Sequence, residues 1–227
     1  MGIIEESVYY IKNQLLKTKR EGIKDLTCHM ADIGFSTAPC SGSNHLCVES
    51  GLIVHTANVM RLADKIAKTV LPADQYKELK QSVIICAALH DLGKCGQFGK
   101  PYYVENMVKD GRPTKANPEQ KYKRSDSKPF EQNKELLHVD HNIRSVIEAT
   151  LYIELTEEEQ FAILYHDGLY GSMKYEIIGK ERPLQMILHF ADFWVSHFDE
   201  GKDLPEEGEV NKNGNDNSTE QCDSTTE

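Results

Sequence analysis

Val83-Ile84-Ile85-Cys86-Ala87-Ala88-Leu89-His90-Asp91-Leu92-Gly93-Lys94 is the stretch on which the reading of this chain turns. Seven apolar residues in succession, bounded by polar sequence, read as a buried helical segment. The two residues that end it, His90 and Asp91, are both metal-ligand types. An imidazole and a carboxylate at the end of a buried helix are costly unless they are paired or hold an ion. The chain offers partners at wide spacing: His55 upstream, then His141, His166 and Asp192 downstream. Each falls on, or at the end of, a segment with helical pattern. The order His, His-Asp, His, His, Asp is what a helical bundle requires to gather imidazoles and carboxylates around one or two divalent metals.

The rest of the pattern is helical too. Ile3 to Lys17 places Ile4, Val8, Ile11, Leu15 and Leu16 near a 3.6-residue period. Leu52 to Val70 turns Leu52, Val59, Leu62, Ala63 and Ile66 inward, and a third helix runs from about Tyr76 to His90. From His141, Ile143, Val146, Ile147 and Leu151 continue a fourth. Thr156-Glu157-Glu158-Glu159 reads as a capping box opening a helix to about His166. Pro183 suits the first turn of a last helix, 183–198, with Leu184, Ile187, Leu188, Ala191 and Val195 apolar. Residues 34–50 are broken by Gly34, Pro39 and Gly42. Residues 96–137 are polar, rich in Gly and Pro, and show no convincing strand pair. A loop of that length in a compact domain is usually functional or disordered. The expectation is an all-α helical bundle over residues 1–198, with a long irregular insertion and a disordered acidic tail over 199–227.

Charge supports that division. The formal net charge is −10, and the segment from Asp199 to Glu227 carries −8 of it, ten acids against Lys202 and Lys212. Residues 1–198 therefore carry only −2, which argues neither for nor against nucleic acid. The tail has no aromatic residue and cannot bury enough surface to order itself. The insertion is locally basic, nine Lys and Arg against six acids, and contains Tyr102, Tyr103, Tyr122 and Phe130. It reads either as a solvated loop or as a lid over a nucleotide or short oligonucleotide. The six cysteines (28, 40, 47, 86, 95, 222) form no Cys-x-x-Cys pair. With no signal peptide and no stretch of membrane-spanning length, they read as reduced thiols in a cytoplasmic protein that does not enter a membrane.

Four positions make a first metal site: His55, His90, Asp91 and Asp192. His141 and His166 can hold a second ion, with Asp91 bridging, or contact a phosphate beside a single ion. Imidazole and carboxylate together suit Mn, Fe, Zn, Ni or Co, and carboxylate-rich sites tolerate Mg. Around them, Asp167 either orients His166 or caps a helix. His189, three residues before Asp192, reads as core or as support behind a ligand. His45 sits where it can reach a ligand, and His138 competes with His141.

The set Gly51-Leu52-Ile53-Val54-His55, His90-Asp91-Leu92-Gly93-Lys94, His141-Asn142-Ile143-Arg144-Ser145-Val146, Tyr165-His166-Asp167-Gly168 and Leu188-His189-Phe190-Ala191-Asp192 resembles the HD-domain superfamily of metal-dependent phosphohydrolases. It is most similar to small bacterial and phage members, and the likeness covers roughly residues 20–198. The resemblance implies a helical HD-domain bundle and metal-dependent hydrolysis of a phosphoester. His55, His90, Asp91 and Asp192 would hold the first ion, and His141 and His166 the second. Lys94 would contact phosphate or donate a proton, with Arg144 in similar work. The implied substrates are phosphorylated small molecules, nucleotides or short oligonucleotides. The competing expectation is an HD fold kept as a non-catalytic, metal-binding regulatory module. Oligomeric state is not legible in the sequence.

Overall fold

The computed structural model describes residues 2–205 apart from Thr114, Ala116 and Asn117. Its body is a helical bundle: α1 (Ile3–Lys17), α2 (Ile23–Asp32), α3 (Gly51–Val70), α4 (Ala73–Leu89), α5 (His141–Thr150), α6 (Glu157–Leu164), the short α7 (Lys174–Ile177) and α8 (Pro183–Trp194). The apolar run of the sequence is the C-terminal half of α4, and Val83 together with Ile85 to Leu89 is buried. Leu89, at 0% exposure, hands the chain directly to His90 and Asp91 in the middle of the molecule. The core around α4 is built from Ile11 and Leu15 of α1, Leu52, Val59 and Ala63 of α3, Ile163 of α6 and Leu188 of α8.

Local signals place the helix ends. Thr156 closes the expected capping box with Glu159, its hydroxyl accepting from the Glu159 amide while the Glu159 carboxylate accepts from the Thr156 amide. Pro183 is at the first turn of α8. Helix α2, which was not anticipated, carries its own signal: Ile23, Leu26 and Met30 repeat at helical spacing and are all buried. After α8 the chain widens into a π-helical turn, Val195–Asp199.

The insertion corrects the expectation of an irregular segment without strands. It folds back on itself as two small antiparallel ribbons, β1 (Tyr103–Glu105) with β4 (Phe130–Gln132), and β2 (Met107–Asp110) with β3 (Lys121–Arg124). The strands are three or four residues long, and β3 is exposed along its whole length. A ribbon wet on both faces has no period-2 apolar pattern to announce it. The Asn133 amide, donating to the Tyr102 carbonyl, extends the β1–β4 pair, and the Phe130 amide, donating to the Gly42 carbonyl, joins it to the body.

The acidic tail does not begin at 199. The amides of Leu46 and Cys47 donate to the carbonyls of Gly201 and Lys202 at 2.7 and 2.9 Å, and Leu204 packs against the core. Residues 200–204 therefore belong to the folded body. The disorder expected of the remainder falls on residues 206–227, which lie outside the described residues. Among the described residues no helix is long and apolar enough to cross a membrane, and Cys28, Cys40, Cys47, Cys86 and Cys95 are unpaired.

Candidate metal centre

The six residues singled out from the sequence as ligands converge. His55 lies on α3, His90 and Asp91 follow α4, His141 opens α5, His166 follows α6, and Asp192 lies on α8. His55 and His90 are 0% exposed, and Asp91 and His166 1%.

Asp91 is the hub. Its Oδ2 faces His90 Nε2 at 3.4 Å and His55 Nε2 at 3.7 Å, and Asp192 Oδ1 approaches His55 Nε2 at 3.1 Å. The other oxygen, Oδ1, faces His141 Nε2 at 3.3 Å and His166 Nε2 at 3.5 Å. Asp167 joins this second half, with Oδ1 3.6 Å from His166 Nε2 and Oδ2 3.9 Å from His141 Nε2. It is held there by Asn142, whose Nδ2 donates to Asp167 Oδ2 at 3.1 Å. Asp167 is thus a further donor at the centre, beyond the six, rather than a simple helix cap.

The four rings share one design. Each has its Nδ1 against an acceptor: the Ala87 carbonyl for His90 (2.9 Å), the Ile163 carbonyl for His166 (2.8 Å), Asp140 Oδ1 for His141 (3.0 Å) and Glu200 Oε2 for His55 (2.8 Å). A carbonyl or carboxylate at Nδ1 requires the proton there, which leaves the Nε2 lone pair to serve as a ligand. All four Nε2 atoms point toward Asp91. Among the described residues, Asp91 Oδ1 and His141 Nε2 are buried with no hydrogen-bond partner. Two orphaned polar atoms facing each other across a buried cleft are costly to keep. Their donor types and convergence give the buried cluster the means to hold a divalent metal ion.

Charges are arranged to match. The Lys94 ammonium donates to Asp91 Oδ2 at 2.6 Å. Burial favours a neutral Asp91, but Lys94, His90, His141 and His166 outweigh it and hold the carboxyl well below the ordinary range. Burial works against charge on His166, yet Asp167, Asp91 and Asp192 raise it to about 9. His55 is raised well above its usual value against the same opposition, by Cys40, Glu200 and Asp192. In the ion-free protein these cations neutralise the carboxylates.

Lys94 also lines a cleft of about 360 Å³ together with Thr37, Tyr102, Tyr103, Arg124 and Phe130. The insertion therefore supplies a wall of the cleft that opens beside the centre. Arg144 does not present a free cation. It is buried, and its guanidinium donates to the carbonyls of Leu137 and Val139 and to the Gln97 side chain. The expectation that it works like Lys94 gives way to a clamp holding residues 137–139 onto α5. His189 supports rather than ligates, its Nδ1 donating to the His166 carbonyl at 2.8 Å. His45 stands behind the centre, 3.2 Å from Cys40 Sγ and with its ring 4.9 Å from that of His55. Burial, with the His55 and Lys94 charges, lowers it to about 3. Glu200 was missed altogether.

Comparison of the chain with protein-family models, with curated proteins and with solved structures finds no match.

Proposed function

We propose that this chain is a metal-dependent phosphohydrolase that cleaves a phosphoester of a nucleotide, another phosphorylated small molecule or a short oligonucleotide. One observation carries the reading: four imidazoles, each fixed through Nδ1, aim Nε2 at the two oxygens of one buried carboxylate that also holds a lysine. A structural site has no use for an ammonium at its central carboxylate or for an open cleft beside it. The resemblance of the motif set to the HD-domain superfamily supports the same reaction class.

The two oxygens of Asp91 divide the donors into two groups, His55, His90 and Asp192 on one side and His141, His166 and Asp167 on the other. Each group suits one divalent ion of the Mn, Fe, Co, Ni, Zn or Mg class. Bound there, such ions supply a water of lowered pKa and neutralise charge on the phosphate. The chain's own residues do the rest. Lys94, once relieved of sole duty to Asp91, binds a phosphate oxygen or gives its Nζ proton to the leaving oxygen. Tyr102, Tyr103 and Phe130 flank the leaving group and exclude water from it. Asp167, the more open carboxylate of the second group, would complete the set that holds the second ion, its Oδ2 kept in place by Asn142.

The test is reconstitution of the stripped protein with Mn, followed by turnover of bis-p-nitrophenyl phosphate and then of deoxynucleoside triphosphates, nucleoside monophosphates, cyclic nucleotides and short RNAs. Metal-dependent turnover lost in Asp91→Ala is expected. Turnover that survives in Asp91→Ala, or that needs no metal, overturns the proposal.

A further inference from the structure

Three of the four ring supports are local in sequence: His90 uses a carbonyl three residues back, His166 another three residues back, and His141 the residue just before it. His55 is different. Its Nδ1 is met by Glu200, 145 residues away, whose side chain is 3% exposed. The second carboxylate oxygen of Glu200 is also satisfied, since Asn58 Nδ2 donates to Oε1 at 2.9 Å. Asn58 stands three residues after His55, so both donors come from one face of α3. A buried carboxylate is costly unless its oxygens are used, and here one accepts from the His55 ring while the other is anchored by Asn58.

The backbone around Glu200 is fixed as well. Its own amide donates to the Val195 carbonyl at 3.1 Å, closing the π-helical turn that follows α8. The next two carbonyls, of Gly201 and Lys202, accept from the amides of Leu46 and Cys47. Leu46 and Cys47 belong to the loop that carries Cys40 and His45 up to the His55 ring. Residues 200–202 thus run as a strap from the end of α8 across the loop before α3, with Glu200 pointing inward.

We propose that Glu200 is a positioning residue for the metal centre: it accepts the Nδ1 proton of His55, locks that ring with Nε2 on the ion, and so makes metal retention depend on the docked strap. The inference rests on the metal-binding reading above. With an ion on Nε2 the ring keeps a single proton, on Nδ1, and a carboxylate there raises the basicity of the ligating nitrogen. Removing such a partner weakens metal affinity by roughly 10–100-fold.

The experiment uses the full chain and two variants, Glu200→Gln and Glu200→Ala. Gln keeps an acceptor oxygen for the His55 Nδ1–H and a similar shape but removes the charge, so it guards against simple misfolding. Metal-free samples are titrated with Co and with Zn, and the Co-loaded proteins are examined by proton NMR for exchangeable, hyperfine-shifted imidazole N–H signals. Glu200→Ala is expected to bind metal about 10–100-fold more weakly, with Glu200→Gln between it and the wild type. Up to four N–H signals, one per ligating imidazole, are expected in the wild type, and the one assigned to His55 is expected to be lost to solvent exchange in Glu200→Ala. A merely structural role would not single out one imidazole proton. Wild-type affinity and an unchanged set of N–H signals in Glu200→Ala overturn this inference alone. Failure of the wild type to bind either metal overturns it together with the metal reading.

Discussion

Gly93 is the residue that lets the two halves of the centre meet, and replacing it with alanine separates them. A Cβ on Gly93 would sit 2.2 Å from the His141 carbonyl oxygen, 2.7 Å from Arg144 Cβ and 2.9 Å from the Ser145 amide nitrogen. None of these atoms can rotate away, since all belong to the backbone or base of α5. Ordinary contact begins near 3.4 Å, so the first turn of α5 must retreat by about 1.2 Å. The same retreat stretches the 2.8 Å bond in which the Gly93 amide donates to Ser145 Oγ. Overpacking of this kind costs about 1–3 kcal/mol, and the weakened hydrogen bond about 1 more. Gly93→Ala is therefore expected to lose about 2–4 kcal/mol, or roughly 4–16 °C in Tm for a chain of this size.

The functional effect should be comparable in free energy to the loss of stability, since 100-fold corresponds to about 2.7 kcal/mol. His141 is the first residue of α5, so the retreat carries its Nε2 away from Asp91 Oδ1, now 3.3 Å distant. A displacement of about 1 Å at a reacting centre is worth on the order of 100-fold in rate. Urea unfolding of the metal-free protein, metal content after reconstitution, and phosphoester turnover below the melting range together test the reasoning. Gly2→Ala, where a Cβ meets nothing within 4 Å, is the control. A Gly93→Ala protein within about 0.5 kcal/mol of wild type, with full metal content, would show that α5 is not held where the glycine allows it.

Other outcomes follow from the same geometry. Asp91→Ala should abolish metal retention by elemental analysis, because Asp91 supplies an oxygen to each group of donors. His166→Ala should lose about one metal equivalent and most turnover, leaving the His55, His90 and Asp192 group loaded; unchanged metal content would make His166 a substrate contact. His166 is raised from 6.5 to about 9. Its contribution to the stability of the ion-free protein is then complete below pH 6.5 and is lost as pH rises through 9. Calorimetry should show that decline, and Zn affinity should tighten over the same interval as the proton leaves. Arg144→Ala should destabilise the fold more than it affects the affinity of the metal-loaded protein for phosphoesters, since its guanidinium is spent on Leu137, Val139 and Gln97.

Much of the centre was legible because its candidate donors sit on or just beyond helices of clear pattern. A buried apolar run closing on His90-Asp91 has few physical excuses, and the remaining His and Asp fall at matching points on other helices. What escaped was decided by contacts rather than by pattern. The strands of the insertion are too short to impose a two-residue alternation, and the β2–β3 pair is largely exposed as well. Asp167 was open between two roles until the fold brought Asn142, 25 residues away, to hold its carboxylate toward His166. Arg144 reads as a free cation in sequence, and only its burial against three acceptors shows that its charge is spent.

Glu200 is the clearest case. It stands at the head of a segment whose composition, acidic and without aromatics, reads as solvated chain, and composition is an average over residues with different fates. The π-helical turn after α8, the two carbonyls paired with Leu46 and Cys47, and Leu204 on the core together bring Glu200 inward. None of these has a local signature. The sign of the charge offers a clue only afterwards: a centre of four imidazoles and a lysine attracts carboxylates, and Glu200 is the acid that the end of α8 can deliver to the far side of His55. A chain cut at Phe198 would keep all six residues read from the sequence as ligands yet leave His55 without its support, so its weaker metal affinity would trace to a residue that touches no ion.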